Sequence, residues 1–214
     1  MEKLLFTGAS GFLGHNVKPI LEKQYEITSI GITDQDNIKV NIAKDIPFLP
    51  EKYDVVLHAA GRAHVYPKSQ DEIKAFYDVN YEGTVNLCKA LEKGGLPKSF
   101  IFISTLDVYG LAVGLNINED SPKNPSSHYA ISKLQAEEFL IKWAEEKGVI
   151  LGILRPSLMI GPNPPGNLKS MINGIKKGYY VNIAGGKTRK SLMMIYDIAN
   201  LVPKIENVGG IYNV

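Results

Sequence analysis

The sequence predicts an α/β fold in which a parallel β-sheet is covered by helices on both faces. Short runs of consecutive apolar residues alternate along the chain with segments whose apolar residues recur at helical spacing. Continuously apolar strands are typical of a parallel sheet that is buried between two layers of helices. A glycine-rich turn also follows the first apolar run and opens the first helical segment.

The first half of the chain supplies the early strands of this sheet. Residues 3–7 predict a short buried strand, and residues 12–23 carry apolar side chains at helical spacing. Residues 27–32 and 38–42 predict the second and third strands, and residues 54–60 a strand that runs into a turn of small residues. Because strands and helices alternate, right-handed crossovers are expected between them.

The second half adds longer helices and two more strands. The helices are predicted over residues 70–93 and 129–147, and each is followed by glycine, which commonly ends a helix. The strands are predicted over residues 99–104 and 149–154. In a parallel sheet of this kind, ligands bind beyond the carboxyl ends of the strands.

Beyond residue 156 the composition becomes rich in proline and glycine. Helices are predicted over residues 167–177 and 196–205, and residues 211–214 predict the beginning of a strand. This change divides the chain into a nucleotide-binding domain of residues 1–156 and a small lobe of residues 157–214.

The composition limits the class of protein. The 214 residues are 44% hydrophobic and 21% charged, as in ordinary soluble domains. A formal net charge of +2 gives no reason to expect nucleic acid or a membrane as a partner. Cys88 is the single cysteine, and no apolar stretch is long enough for a membrane span or a signal peptide. We therefore expect a cytoplasmic protein with no disulfide and no metal site.

The glycine turn predicts a dinucleotide-binding loop. Gly8 permits a tight turn, Gly11 lets the backbone approach a pyrophosphate, and Gly14 lets the first helix pack closely on the sheet. Free N–H groups and the helix dipole then favour the phosphates. The context of strand, glycine turn and helix predicts a Rossmann-type, doubly wound sheet. The predicted loop contacts are Gly8, Ser10, Gly11, Phe12, Leu13 and Gly14.

An acidic residue after the second strand would hold the hydroxyls of the adenosine ribose. Asp34 is the nearest candidate, although it comes slightly late in the chain and is also compatible with an ordinary turn. No arginine follows this strand to meet a 2′-phosphate, which favours NAD over NADP as the cofactor.

Tyr129 and Lys133 form a candidate catalytic pair. Four residues apart at the start of a helix, they share one helix face. A neighbouring ammonium, together with the positive charge of a nicotinamide, lowers the pKa of a tyrosine. Such a tyrosine exchanges a proton with a substrate hydroxyl while a hydride moves. Ser104 and Thr105, at the end of the preceding strand, place a hydroxyl where it can bind the reacting oxygen.

Seven motifs in order resemble the extended short-chain dehydrogenases/reductases of the sugar-nucleotide epimerase/dehydratase type. Each is modest alone, but the ordered set is specific and spans most of the chain. They are TGASGFLG at 7–14, VLHAAG at 56–61, VNYEGT at 79–84, STLDVYG at 104–110, YAISK at 129–133, LRP at 154–156 and IGP at 160–162.

The resemblance implies roles for individual residues. Thr105 takes the position of the catalytic Ser/Thr, Tyr129 that of the acid/base, and Lys133 that of the residue that binds the nicotinamide ribose. The cofactor would extend from the adenine end near residues 41–42 to the nicotinamide end near Asn80. The implied cofactor contacts are Asn41, Ile42, Ala59, Ala60, Gly61, Asn80, Ser104, Tyr129, Lys133, Pro156 and Ser157.

The resemblance also bears on the reaction and the substrate. The family's dehydratases carry an Asp-Glu pair after the catalytic Thr, whereas this chain has Leu106 and Asp107, which leaves 4-epimerisation and 4-keto reduction. Residues 185–191 resemble the basic segment that meets the UDP phosphates, although a solvated basic loop is the alternative. The implied substrate contacts are Asn167, Leu168, Arg189 and Lys190.

We therefore predict an NAD-dependent 4-epimerase of a UDP-hexose or UDP-N-acetylhexosamine that acts by transient hydride transfer. The alternatives are an NAD(P)H-dependent 4-keto sugar-nucleotide reductase of surface polysaccharide synthesis and a truncated NAD-binding protein without turnover. Family members are usually longer than this chain. We therefore expect the C-terminal substrate lobe to be small and incomplete, with the chain either a fragment or a naturally short relative. The family also implies a homodimer through the two long helices, 70–93 and 129–147.

Overall fold

The fold is a seven-stranded parallel sheet, as the alternation of strands and helices predicts. The computed structural model describes residues 1–63, 65–111, 113–179 and 189–214. The strands described are β1 (Glu2–Thr7), β2 (Tyr25–Gly31), β3 (Ile38–Lys39), β4 (Val55–His58), β5 (Ser99–Ile103), β6 (Ile150–Arg155), β7 (Leu158–Ile160), β8 (Leu192–Met194) and β9 (Gly210–Asn213). The order in the main sheet is β3-β2-β1-β4-β5-β6-β9, which confirms the doubly wound α/β architecture.

The helices agree with the predicted ones except in one place. The predicted helix over residues 70–93 contains a π-helical segment, Asp78–Glu82, whose wider turn separates two α-helices. None of the helices in the described ranges is long and apolar enough to cross a membrane. The α-helices are α1 (Phe12–Leu21), α2 (Gln70–Tyr77), α3 (Gly83–Gly94), α4 (His128–Lys147), α5 (Gly166–Lys176) and α6 (Asp197–Ile205).

The two faces of the sheet bury separate cores. Successive side chains of a strand point to opposite faces, so Leu4 and Phe6 lie in the core shared with α1 and α6. Leu5, between them, lies in the core shared with α3 and α4. All three side chains are fully buried. This explains why the first strand is apolar throughout instead of alternating with polar residues.

The order of the strands positions the site. β1 pairs with β2 on one side and with β4 on the other, so the chain reverses its direction of travel across the sheet at β1. A crevice opens at such a switch point, beyond the carboxyl ends of the strands. The glycine turn follows β1 and the small-residue turn follows β4, so both lie at this edge.

The C-terminal residues contribute to two sheets. β7 and β8 form a separate two-stranded parallel sheet. β9, the strand predicted at residues 211–214, pairs with β6 at the edge of the main sheet. The division between residues 156 and 157 stays a prediction, and part of the sequence on its C-terminal side completes the main sheet.

Candidate active site

The glycine turn is shaped by close backbone contacts. Gly8 has a φ of +76°, and a Cβ there would lie 2.6 Å from the backbone nitrogen of Ala60. A Cβ on Gly14 would overlap the backbone of Ala9, so only glycine permits this packing of α1 on the loop. Gly11 is the N-cap of α1 and provides no side-chain cap. A phosphate can therefore take the place of a capping side chain at the first turn of α1, which fits a dinucleotide.

A groove runs from this turn along α1 towards the loop after β2. Asp36 lies in the groove, whereas the side chain of Asp34 is 92% exposed and forms an ion pair with Lys39. The structure thus brings a different carboxylate to the glycine turn from the one that the sequence suggested. The lining residues are Ala9, Ser10, Gly14, His15, Lys18, Pro19, Ser29, Gln35 and Asp36.

The residues proposed for the adenine end have structural partners. Ile42 is buried in the core beneath α3 and α4, and its carbonyl oxygen accepts a hydrogen bond of 2.9 Å from the side chain of Asn86. The amide oxygen of Asn41 accepts a hydrogen bond of 3.1 Å from the backbone nitrogen of Ala43. Their contact with adenine stays a prediction.

A buried chain of hydrogen bonds supports the turn after β4. Thr84 donates its hydroxyl to the carbonyl oxygen of Asn80 at 2.8 Å, so its oxygen accepts from Nε2–H of His58 at 2.8 Å. Nδ1 of His58 then accepts the hydroxyl of Thr7 at 2.6 Å, and the backbone nitrogen of Ala60 donates to Thr7 Oγ1 at 3.2 Å. The chain requires a neutral imidazole with its proton on Nε2. Sequence reasoning assigned His58 no role, although a histidine in an apolar strand was a usable signal.

The buried imidazole predicts an acid-dependent loss of stability. Burial, and secondarily the charge of Lys133, lower the pKa of His58 to about 3. A histidine in the unfolded chain titrates near pH ~6.5, so between these values the unfolded state binds one proton more. The free energy of unfolding should therefore decrease as the pH is lowered through this window. The contribution of His58 to this decrease is up to about 1.4 kcal/mol per pH unit.

Urea unfolding between pH 7.5 and pH 5 measures this slope. His58→Gln should have a shallower slope than the wild type, whereas the control His15→Gln, at an exposed position, should keep the wild-type slope. Equal slopes for His58→Gln and the wild type would contradict the assignment.

Asn80 connects the turn after β4 to α4. It lies in the π-helical segment and is fully buried. Its side-chain oxygen accepts from the backbone nitrogen of Arg62 at 2.7 Å, and its side-chain nitrogen donates to Oγ of Ser132 at 2.9 Å. Ser132 immediately precedes Lys133, so Asn80 fixes the turn against the helix that carries the predicted catalytic pair.

Tyr129 and Thr105 come together as predicted. Tyr129 lies in the first turn of α4, whose N-cap Ser127 accepts a hydrogen bond of 3.1 Å from the backbone nitrogen of Ala130. Burial, and secondarily the charge of Asp107, raise the pKa of Tyr129 to about 12, against the lowering effect of the nearby Thr105 hydroxyl. This differs from the lowering expected from the sequence, because the effects of burial and of the Asp107 carboxylate exceed that of the Thr105 hydroxyl.

Lys133 is held below the small-residue turn. Its side chain is buried, and Nζ lies 4.1 Å from the centre of the Phe102 ring. A Cβ on Gly61 would lie 3.7 Å from Nζ, so the ammonium faces the turn that follows β4. Burial lowers the pKa of Lys133 to about 7, although the Glu137 carboxylate raises it. A bound ribose hydroxyl or a phenolate would therefore replace the lost hydration of the ammonium and favour the charged form of Lys133.

A buried ion pair links the segments around this pair. Arg155 NH2 donates to Glu137 Oε2 at 2.6 Å, and both side chains are almost completely inaccessible to solvent. Ser104 donates its hydroxyl to the same carboxylate, and Arg155 NH1 donates to the hydroxyl of Tyr109 at 2.6 Å. Because the Ser104 side chain is committed to Glu137, its predicted contact with the cofactor would have to use the backbone. Sequence reasoning did not predict this cluster.

The remaining predicted residues lie in the C-terminal part. The carbonyl oxygen of Pro156 accepts a hydrogen bond of 3.2 Å from the backbone nitrogen of Leu106. The backbone nitrogen of Ser157 donates a hydrogen bond of 2.6 Å to the carbonyl oxygen of Val214. Asn167 and Leu168 lie in the first turn of α5, with Asn167 exposed. Arg189 and Lys190 are exposed, and residues 185–188 of the basic segment lie outside the described residues, as does His64.

Comparisons with known proteins agree with this geometry. The model of the NAD dependent epimerase/dehydratase family matches residues 4–214. N-acetyl-alpha-D-glucosaminyl-diphospho-ditrans,octacis-undecaprenol 4-epimerase of Escherichia coli O157:H7 is 33% identical over 233 residues, which cover 100% of this chain and 66% of that protein. UDP-glucose 4-epimerase of Vibrio cholerae is 30% identical over 215 residues, which cover 94% of this chain and 65% of that protein.

A solved structure shares the fold over the full chain. RMD from Pseudomonas aeruginosa, complexed with NADPH, is 26% identical with a TM-score of 0.83, and the match covers 100% of this chain and 77% of that one. The chain spans about two thirds of the length of the two curated relatives.

Proposed function

The chain belongs to the NAD dependent epimerase/dehydratase family, and we propose that it carries the cofactor site and the catalytic residues of an NAD-dependent 4-epimerase. The substrate class is a UDP-hexose or UDP-N-acetylhexosamine. The observation that carries this proposal is the pairing of Thr105 with Tyr129 one helical turn before the buried Lys133, at the sheet edge where the glycine turn lies. Both curated relatives are by name 4-epimerases.

Thr105, Tyr129 and Lys133 have separate roles in the proton transfer of such a reaction. When bound, the nicotinamide supplies the hydride acceptor and donor. Tyr129 accepts the proton of the C4 hydroxyl of the sugar as the carbonyl forms, and returns it to the same oxygen when the carbonyl is reduced from the opposite face of C4. Thr105 hydrogen-bonds the reacting oxygen and keeps it within reach of the phenol. We propose that Lys133 stabilises the tyrosinate by its positive charge once the cofactor is bound, and so opposes the raising effect of burial on the pKa of Tyr129.

The substrate's diphosphate suits the basic residues of the C-terminal part. The names of both curated relatives place a hexose on a nucleotide or lipid diphosphate. Arg189 offers a planar, bidentate donor for a phosphate, and Lys190 a point charge. We propose that these two exposed cations meet the diphosphate, while Asn167 and Leu168 at the start of α5 meet the nucleotide.

One observation favours a second candidate function. The similar structure of RMD from Pseudomonas aeruginosa carries NADPH, and a 4-keto sugar-nucleotide reductase would use the same tyrosine to protonate the new hydroxyl. A reductase exchanges its oxidised cofactor in every cycle, whereas an epimerase re-reduces its own 4-keto intermediate and retains NAD.

The purified protein distinguishes these functions directly. The cofactor that heat releases is identified by absorbance and HPLC, and the protein is then incubated with UDP-glucose and UDP-N-acetylglucosamine. Retained NAD and a 4-epimer product support the epimerase. Consumption of added NADPH with a 4-keto sugar nucleotide, without epimer formation, supports the reductase. A chain that binds no nicotinamide nucleotide contradicts both.

We also propose that two copies associate through the helix layer that contains α2 and α4. The ring of Tyr81 packs edge-on against that of Phe139, and both side chains are partly exposed on this layer. Phe139→Glu should therefore give a monomer in sedimentation experiments. Glu145→Lys is the control, because residue 145 is exposed and lies about 120° around the helix from residue 139. A dimer that survives Phe139→Glu, or a wild-type monomer, would contradict this interface.

A further inference from the structure

We propose that Asp36 selects the cofactor: its carboxylate accepts a hydrogen bond from the 2′-hydroxyl of the adenosine ribose and repels a 2′-phosphate. The inference rests on the proposed use of a nicotinamide dinucleotide. It assigns the discriminating charge to a residue that folds back from the loop after β2, in place of the residue at the end of that strand.

A glycine, Gly31, occupies the usual position of the ribose-binding acid. That acid comes about twenty residues beyond the glycine motif, and Gly31, the last residue of β2, lies at this distance from Gly11. A Cβ on Gly31 would overlap the carboxylate of Asp36. The carboxylate of residue 36 thus fills the space into which a side chain of residue 31 would project.

The carboxylate is held in this position by its own loop. The backbone nitrogen and the hydroxyl of Thr33 donate to Asp36 Oδ2 at 3.1 and 2.7 Å. Asp36 is 9% exposed, and the loop behind it is closed by hydrogen bonds of 2.9 and 3.0 Å between Asn37 and Ser29. Both described hydrogen bonds to the carboxylate use Oδ2, so Oδ1 is the oxygen that would accept from a ribose hydroxyl.

The position of Asp36 relative to the phosphate loop fits a ribose. It lines the same groove as Ser10 and Gly14, which belong to the glycine turn. A pyrophosphate at the first turn of α1 would leave the adenosine ribose in this groove. Asp34 does not fit, because its side chain points into solvent and pairs with Lys39.

A positive charge also lines the groove. Lys18 of α1, with His15 beside it, lies opposite the loop that carries Asp36, and Lys18 has a distant ion-pair partner in Glu22 at 3.7 Å. In the wild type, the negative charge of Asp36 would face a 2′-phosphate at close range and disfavour it. Without that charge, Lys18 and the new amide would favour the phosphate.

Isothermal titration with NAD and with NADP tests the assignment, since it needs no turnover. The wild type should bind NAD at least tenfold more tightly than NADP. In Asp36→Asn the ratio of the two Kd values should change at least tenfold towards NADP. Asp34→Asn is the matched control, with the same change of charge two residues away, and should keep the wild-type ratio.

A second variant, in which the acid is moved, distinguishes loss of the charge from misfolding of the loop. In the double variant Gly31→Asp/Asp36→Gly the carboxylate returns to the end of β2 and the overlap is removed, so the preference for NAD should return. An unchanged Kd ratio in Asp36→Asn, an equal change in Asp34→Asn, or a wild type that prefers NADP would overturn the assignment. Clear NAD selectivity without any epimer product would contradict the proposed reaction and leave the role of Asp36 intact.

Discussion

Tyr129→Phe is expected to lower the rate of epimerisation by about 10²- to 10⁴-fold, the range that a positioned acid/base group contributes. The substitution removes only the hydroxyl that exchanges a proton with the sugar. The ring stays, so its packing 6.4 Å from the ring of Phe76 is retained. Binding of NAD should change little, because the hydroxyl is one of many contacts with the cofactor. Product formation is measured by HPLC with UDP-glucose and UDP-N-acetylglucosamine.

Tyr66→Phe is the matched control for this experiment. Tyr66 is 81% exposed, so loss of its hydroxyl should leave the rate unchanged. The pH profile adds a second test: the acidic limb of the wild-type rate should disappear from the residual activity of Tyr129→Phe. If that variant keeps wild-type activity at any pH, Tyr129 is not the acid/base.

Glu137→Leu is expected to reduce the free energy of unfolding by about 3–5 kcal/mol, because it leaves a buried guanidinium without its counter-charge. Arg155 is fully buried, and its remaining partners are the hydroxyl of Tyr109 and the carbonyl oxygen of Glu119. Neither supplies a negative charge. Urea denaturation measured by circular dichroism gives the change.

A double-mutant cycle separates the ion pair from simple loss of packing. Glu137→Leu/Arg155→Leu removes both charges, and its stability should recover towards the wild type, since apolar replacements of buried ion pairs are often tolerated. The exposed pair Lys74–Asp78 is the control, and Lys74→Gln should cost at most about 1 kcal/mol. Additive losses in the double variant would show that the two charges do not depend on each other.

The fold was predictable because its signals are local. Apolar strands, helical spacing and the glycine turn each occupy one short stretch, and the structure confirms the doubly wound sheet that they imply. The pairing of Thr105 with Tyr129 followed from the family's motifs. The roles that these residues play towards a cofactor and a sugar stay predictions.

What the sequence did not reveal depends on contacts between distant segments. Glu137 and Arg155 lie 18 residues apart on a helix and a strand, and nothing in the sequence around either residue identifies the other as its partner. Asp34 and Asp36 are equivalent in the sequence, and only the folded loop distinguishes the carboxylate in the groove from the one in solvent. The raised pKa of Tyr129 likewise follows from burial, which a motif does not record.

The π-helical segment determines where Asn80 projects between α2 and α3. A π-turn holds one residue more than an α-helical turn, so deleting one residue between Asp78 and Glu82 would allow a regular α-helix in which α2 and α3 keep nearly their present relative orientation. The residues of the segment itself would be displaced. Asn80 would then lose its hydrogen bonds with the backbone nitrogen of Arg62 and with Ser132. We expect a deletion of one residue here to disturb the turn after β4 more than the packing of α2 and α3.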